Sequence, residues 1–143
     1  MQTSRFLARL IGPVVAVVAL GILVNPSGTM ALMSQMISDP GLIYFAVILE
    51  LLGGVALLLV HNVWVADWRV LITLIGWAAV IEATAWILAP LPMQRLYTPM
   101  LGAPGFAVVA AVIALLIGGV LIYYGYFDAP ARANAGAKKR GRK

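Results

Sequence analysis

From Gly41 to Pro90 the chain consists of two apolar stretches joined by a short polar link, His61 to Arg69. Each stretch holds about the 20 apolar residues that cross a bilayer core ~30 Å thick. Each also carries one acid near its middle, Glu50 in Ile48-Leu49-Glu50-Leu51-Leu52-Gly53-Gly54 and Glu82 in Val80-Ile81-Glu82-Ala83-Thr84. A carboxylate at that depth costs on the order of 2.5–3.5 kcal/mol on insertion scales, so both acids are expected to face protein or a cavity rather than lipid.

Composition agrees with a membrane setting. The 143 residues are 63% hydrophobic and 10% charged, with a mean hydropathy of +1.00, against about 45–50% and 25% in soluble domains. There is no cysteine, which excludes disulfides, thiolate metal sites and cysteine nucleophiles. The net charge of +5 gathers at the C-terminus and reads as a topology signal, not a nucleic-acid surface. No P-loop, HExxH, GxSxG or dinucleotide fingerprint occurs, so neither an enzyme nor a cofactor is expected.

Two further apolar segments flank the central pair. The first runs from about Phe6 to Val24 and holds Arg9 and Pro13. It resembles a signal peptide, but no Ala-x-Ala site follows, so it is read as a retained helix with Pro13 in its first turns. Residues 25–40 read as a loop, with Met30, Met33 and Met36 at spacing three. Helix two is placed at about 41–60. Asp67 reads as the N-cap of helix three, at about 68–88. Residues 91–104 read as a second loop, and helix four as about 105–126. The expected fold is all-α transmembrane: a four-helix bundle over residues 1–127, with a disordered basic tail over 128–143. With both termini cytoplasmic, every Lys and Arg except Arg95 falls inside, as the positive-inside rule requires. Trp64, Trp68, Tyr123 and Tyr124 then form an inner interfacial belt, while Trp86 and Tyr97 lie toward the outer one.

An offset of 64 aligns the two halves. Leu10-Ile11-Gly12 meets Leu74-Ile75-Gly76, Pro26 meets Pro90, Pro40-Gly41 meets Pro104-Gly105, and Gly54 meets Gly118. Two tandem two-helix repeats are expected, at about 9–60 and 73–124, related by a pseudo-two-fold along the membrane normal. Small residues at Ala46, Gly53 and Gly54, and at Ala110, Ala114, Gly118 and Gly119, are expected to let helices approach closely. Glu50 and Glu82 lie eleven residues before His61 and thirteen after Arg69. At 1.5 Å per residue these are about 16 and 19 Å, similar depths.

The acids suit a proton relay, a cation site or a ligand-binding group; the structural alternative is a packing acid bonded through Thr73 or Thr84. His61 has no second His or Cys beside it and reads as an interfacial polar residue that ends helix two with Asn62. Met30, Met33 and Met36, with Met93 and Met100, have the ligand softness of a Cu(I) array, but read as flexible apolar cover. No metal site is expected.

The stretch Leu49-Glu50-Leu51-Leu52-Gly53-Gly54-Val55-Ala56-Leu57-Leu58-Leu59 resembles the second helix of DoxX-like small bacterial membrane proteins. His61-Asn62-Val63-Trp64 followed by Leu71-Ile72-Thr73-Leu74-Ile75-Gly76-Trp77 is similar to a wider set of four-helix bacterial proteins. The resemblance covers about 40 residues and implies an inner-membrane location. Two functions are expected from the whole. The first is a non-enzymatic accessory or assembly protein, binding itself or another membrane protein through its small-residue faces, with the basic tail on anionic lipid. The alternative is a small proton- or cation-coupled transporter or channel using Glu50 and Glu82.

Overall fold

The computed structural model describes residues 2–128. Of the basic tail expected to be disordered at 128–143, residues 129–143 lie outside the described residues. The chain is all-α, with helices α1 (Gln2–Val24), α2 (Pro26–Ser38), α3 (Pro40–Val60), α4 (Arg69–Leu88), α5 (Pro90–Leu101) and α6 (Pro104–Ile122), closed by a π-helical turn over Tyr123–Phe127. Four of these helices, α1, α3, α4 and the α6 segment, are long and apolar enough to cross a membrane. Large apolar side chains such as Val17, Phe45, Ile81 and Val109 cover their outer faces. The chain is a multi-pass membrane protein in contact with lipid.

The expected loops at 25–40 and 91–104 are helices. Both are short: twelve or thirteen residues reach about 18–20 Å and cannot span a bilayer. Asn25 caps α2 by accepting from the Gly28 N–H, and Asp39 caps α3 through Gly41 and Leu42. Proline opens α2, α3, α5 and α6 at N1, the position where a missing N–H is harmless. Pro90 therefore ends α4 and starts α5 at once. Asp67 sits one residue further out than an N-cap: its carboxylate accepts from the Arg69 backbone N–H and pairs with that guanidinium at 2.7 Å.

The four long helices pack as two antiparallel pairs, α1 with α6 and α3 with α4. The helices within each expected two-helix repeat, α1 with α3 and α4 with α6, are not closely packed. The short helices explain this. α2 touches α1, α3 and α6, and α5 touches α4 and α6, so together they wedge the pairs apart at the Arg95 end. Glycine sets both tight crossings. A Cβ on Gly118 would lie 2.9 Å from the Ala16 nitrogen and 3.1 Å from the Gly12 oxygen, and one on Gly54 would lie 2.9 Å from Val80 Cγ2 and 3.2 Å from the Gly76 oxygen.

At the opposite end the pairs close on each other. Leu7, Ala8, Ile72 and Leu121 form a buried cluster, with Ile11, Leu57 and Ile75 packed on it. Arg5, Arg9 and Arg69 gather around this end, where Arg5 lies 3.6 Å from Asp128. Helix α1 starts four residues before the expected Phe6, which moves Pro13 from the first turns into the helix interior. Proline there leaves the Arg9 carbonyl without its intrahelical donor, and the Tyr126 hydroxyl donates to that oxygen at 3.2 Å. The Arg9 side chain in turn donates to the Gly125 carbonyl at 2.6 Å. Trp68 stacks on Tyr124, with centroids 5.3 Å apart, while Trp64 and Tyr123 are exposed.

His61 also belongs to this end, where it caps the C-terminus of α3 as expected, but its side chain is buried. It is 2% exposed, with Nε2 3.0 Å from Ser4 Oγ and Nδ1 3.3 Å from Thr73 Oγ1. Thr73 Oγ1 also accepts from the Val63 N–H and donates to its carbonyl. These bonds suit the neutral ring protonated on Nδ1, with Nε2 accepting from Ser4. Burial holds the imidazole below its ordinary value of 6.5, and the positive Arg69 pushes the same way. The unfolded chain therefore binds more protons, so the stability given by the neutral ring is complete above pH 6.5 and is lost as pH falls through the folded-state value. The melting temperature in detergent is expected to drop on acidification below pH 6.5. His61→Gln should flatten that drop; an equal drop in the variant would remove His61 as its source.

Candidate functional site

Between the two helix pairs, beneath α2 and α5, lies a cavity of about 270 Å³. Glu50 reaches it from α3 and Glu82 from α4, so the two intramembrane acids share one space. The rest of the wall is mostly apolar. Met30, Met33 and Met36 come from α2, Trp86 from α4, Tyr97 from α5 and Phe106 from α6. The methionines thus serve as cavity wall. Met93 packs on the neighbouring core of Ile37, Val47, Ala83 and Trp86.

The Tyr97 hydroxyl donates to Glu82 Oε1 at 2.5 Å. Neither Thr73 nor Thr84 has that role: Thr73 is engaged with His61 and Val63, and Thr84 is exposed. Burial, and then Glu82 as acceptor, hold the Tyr97 phenol above its usual range, so Tyr97 remains a donor at any ordinary pH. It positions the Glu82 carboxyl and leaves that group's second oxygen available to the cavity. Trp86 and Tyr97 are not outer-belt aromatics. Trp86 is 5% exposed, its ring 5.6 Å from that of Tyr97, because α5 folds back over α4 instead of running along the surface as a loop.

The small residues divide into three groups. Gly54 and Gly118 are spent in the crossings within the protein. Ala46 and Ala110 line the cavity rather than a helix contact, since α2 and α5 hold α3 and α6 apart there. Gly53 and Gly119 face open space, and Ala114 is half-buried. Tyr97 and Phe106 carry no motif. The Asn25-Pro26 start is the signal that would have found α2; α5 follows Ala89 with no capping side chain and has no such signal.

Compared with protein families, curated proteins and solved structures, the chain gives no match. The likeness to DoxX-like proteins therefore rests on the quoted residues and the four apolar spans alone.

Proposed function

We propose that the chain binds a proton or monovalent cation at Glu50 and Glu82 and passes it within the membrane, as a small non-enzymatic transport-type bundle. The observation that carries this reading is the shared cavity: two acids on different helices converge on one space at membrane depth. Acids placed only for packing would each need one neighbour and no cavity.

The internal repeat supports the same reading. At the offset of 64, Val24 matches Leu88, Pro26 matches Pro90 and Pro40 matches Pro104, all helix ends or starts. The Gly118 crossing on Gly12 corresponds to the Gly54 crossing on Gly76. Ile22 and Trp86, Met33 and Tyr97, and Ala46 and Ala110 are pairs at that offset that line the cavity from both sides. We read this as a tandem duplication whose pseudo-axis passes through the cavity, the usual place for a transported ligand. The acids break the symmetry: their counterparts are Ala114 and Val18.

An accessory role through small-residue faces is the second reading. What supports it is Gly53 and Gly119, which face outward with nothing against them. The cavity reading has the wider support, since Gly54 and Gly118 are used in the crossings and Ala46 and Ala110 line the cavity.

We place the arginine-rich end in the cytoplasm, by the excess of basic residues there. A reporter active only outside the cytoplasm is expected to give signal when fused after Met33 and none after Lys143; the opposite pattern would reverse the orientation. The cavity reading is tested by proton flux into vesicles carrying the purified protein. Glu50→Gln and Glu82→Gln are expected to reduce flux to the background of empty vesicles.

A further inference from the structure

A second cavity of about 590 Å³ opens at the Arg95 end, between α2 and α5. Its polar lining comes from Ser27, Ser34 and Thr98, and its floor includes Met30, Leu101 and Ala107. Those last three residues also line the acid cavity, so the groove and the acid cavity share a wall. Toward the other end the way is closed by the buried cluster of Leu7, Ala8, Ile72 and Leu121 and by the His61–Ser4–Thr73 bonds. From the Arg95 end, the approach to the acids runs past Met30, whose unbranched thioether side chain changes rotamer easily.

The inner cavity also limits what can occupy it. Among the described residues no three His, Asp or Glu side chains converge to hold a metal ion. A hard divalent cation wants six or more oxygens, and most of this wall is hydrocarbon, thioether or aromatic. Two carboxyls beside the rings of Trp86, Tyr97 and Phe106 form a different kind of site. Aromatic faces and a carboxylate together attract an organic ammonium, and thioethers and aliphatic groups accommodate its apolar body.

We propose that the acid cavity binds a small organic monocation, an ammonium with an apolar substituent, which loads through the groove between α2 and α5. The proposal rests on the reading of Glu50 and Glu82 as a cation site and adds its ligand class and its route.

The absence of native cysteine makes a direct test available. Single substitutions Ala31→Cys in the groove, Ala107→Cys at the junction and Ala8→Cys in the closed cluster are placed in the full chain. Each purified protein is treated with a trimethylammonium methanethiosulfonate, with and without benzyltrimethylammonium. Ala107 is 3% exposed and Ala8 0%, so burial alone would leave both inert. The expected result is that Ala31→Cys and Ala107→Cys react at least about tenfold faster than Ala8→Cys. Benzyltrimethylammonium should slow Ala107→Cys, neutral benzyl alcohol should not, and Glu50→Gln or Glu82→Gln in the same background should remove the protection.

An Ala107→Cys as inert as Ala8→Cys would overturn the route, and equal protection by benzyl alcohol would overturn the ligand class. In either case proton flux that still depends on Glu50 and Glu82 would leave the cation-site reading standing. Protection that survives both glutamine substitutions, together with flux that ignores them, would remove both.

Discussion

Replacing Gly118 with alanine is expected to lower the melting temperature in detergent, whereas the same change at the adjacent Gly119 should leave it unchanged or raise it slightly. The added Cβ at 118 meets Ala16 N at 2.9 Å, Gly12 O at 3.1 Å and Ala16 Cα at 3.2 Å, all backbone atoms. None of these can turn aside, so α1 and α6 must separate along their whole contact. Overpacking of this kind costs about 1–3 kcal/mol, more than the roughly 1 kcal/mol alanine gains in helix propensity. At Gly119 nothing lies within 4 Å, and the propensity gain stands alone. Gly54→Ala should fall between them, because Val80 Cγ2 and Ala79 Cβ can shift while the Gly76 oxygen at 3.2 Å cannot. Equal stability of the Gly118 and Gly119 variants would contradict the close crossing of α1 and α6.

The second large effect concerns the acids. Glutamine has nearly the volume of glutamate and keeps a carbonyl to accept from Tyr97, so Glu82→Gln preserves the 2.5 Å bond donated by that hydroxyl. It removes only the group able to carry a proton or balance a cation. Flux is expected to fall to background in Glu82→Gln and Glu50→Gln, with melting temperatures near that of the unaltered chain. If the acids serve packing alone, both stability and flux should survive. Loss of folding in both variants would mean that the charge itself supports the structure, against the cavity reading.

The contrast between these substitutions reflects what a sequence can express. The four spans are legible because a bilayer imposes length and apolarity on every crossing segment, and their ends at Val24, Val60 and Leu88 follow from a local change in composition. The convergence of Glu50 and Glu82 follows too, since similar distances from the link between α3 and α4 place them at similar depth. The short helices are less legible: α2 and α5 are too polar and too short to register as spans, and their prolines suggest chain breaks. The signal for α2 is the Asn25-Pro26 pair, where a capping side chain precedes a proline at N1; α5 follows Ala89 with no side-chain cap and carries no such signal. Once they are helices, Tyr97 returns toward Glu82 and Trp86 becomes wall rather than belt.

Other features depend on contacts that no local pattern encodes. Ser4 and His61 are 57 residues apart in sequence and 3.0 Å apart in space. The Tyr126 hydroxyl reaches the Arg9 carbonyl across 117 residues. The choice between Gly53 and Gly54, or between Gly118 and Gly119, as the crossing residue depends on how each helix is rotated. A hydrophobic face that continues around the helix does not specify that rotation.

The central claim is that Glu50 and Glu82 open into one cavity, and a short thiol cross-link tests it most directly. In the cysteine-free chain, Glu50→Cys is paired either with Glu82→Cys or with Ile81→Cys, whose native side chain is 63% exposed on the lipid face. Treated with a short bis-methanethiosulfonate, the 50–82 pair is expected to link in most molecules while the 50–81 pair does not. A 50–82 pair that fails to link, or links no better than the 50–81 pair, would place the two acids in separate surroundings and contradict the account.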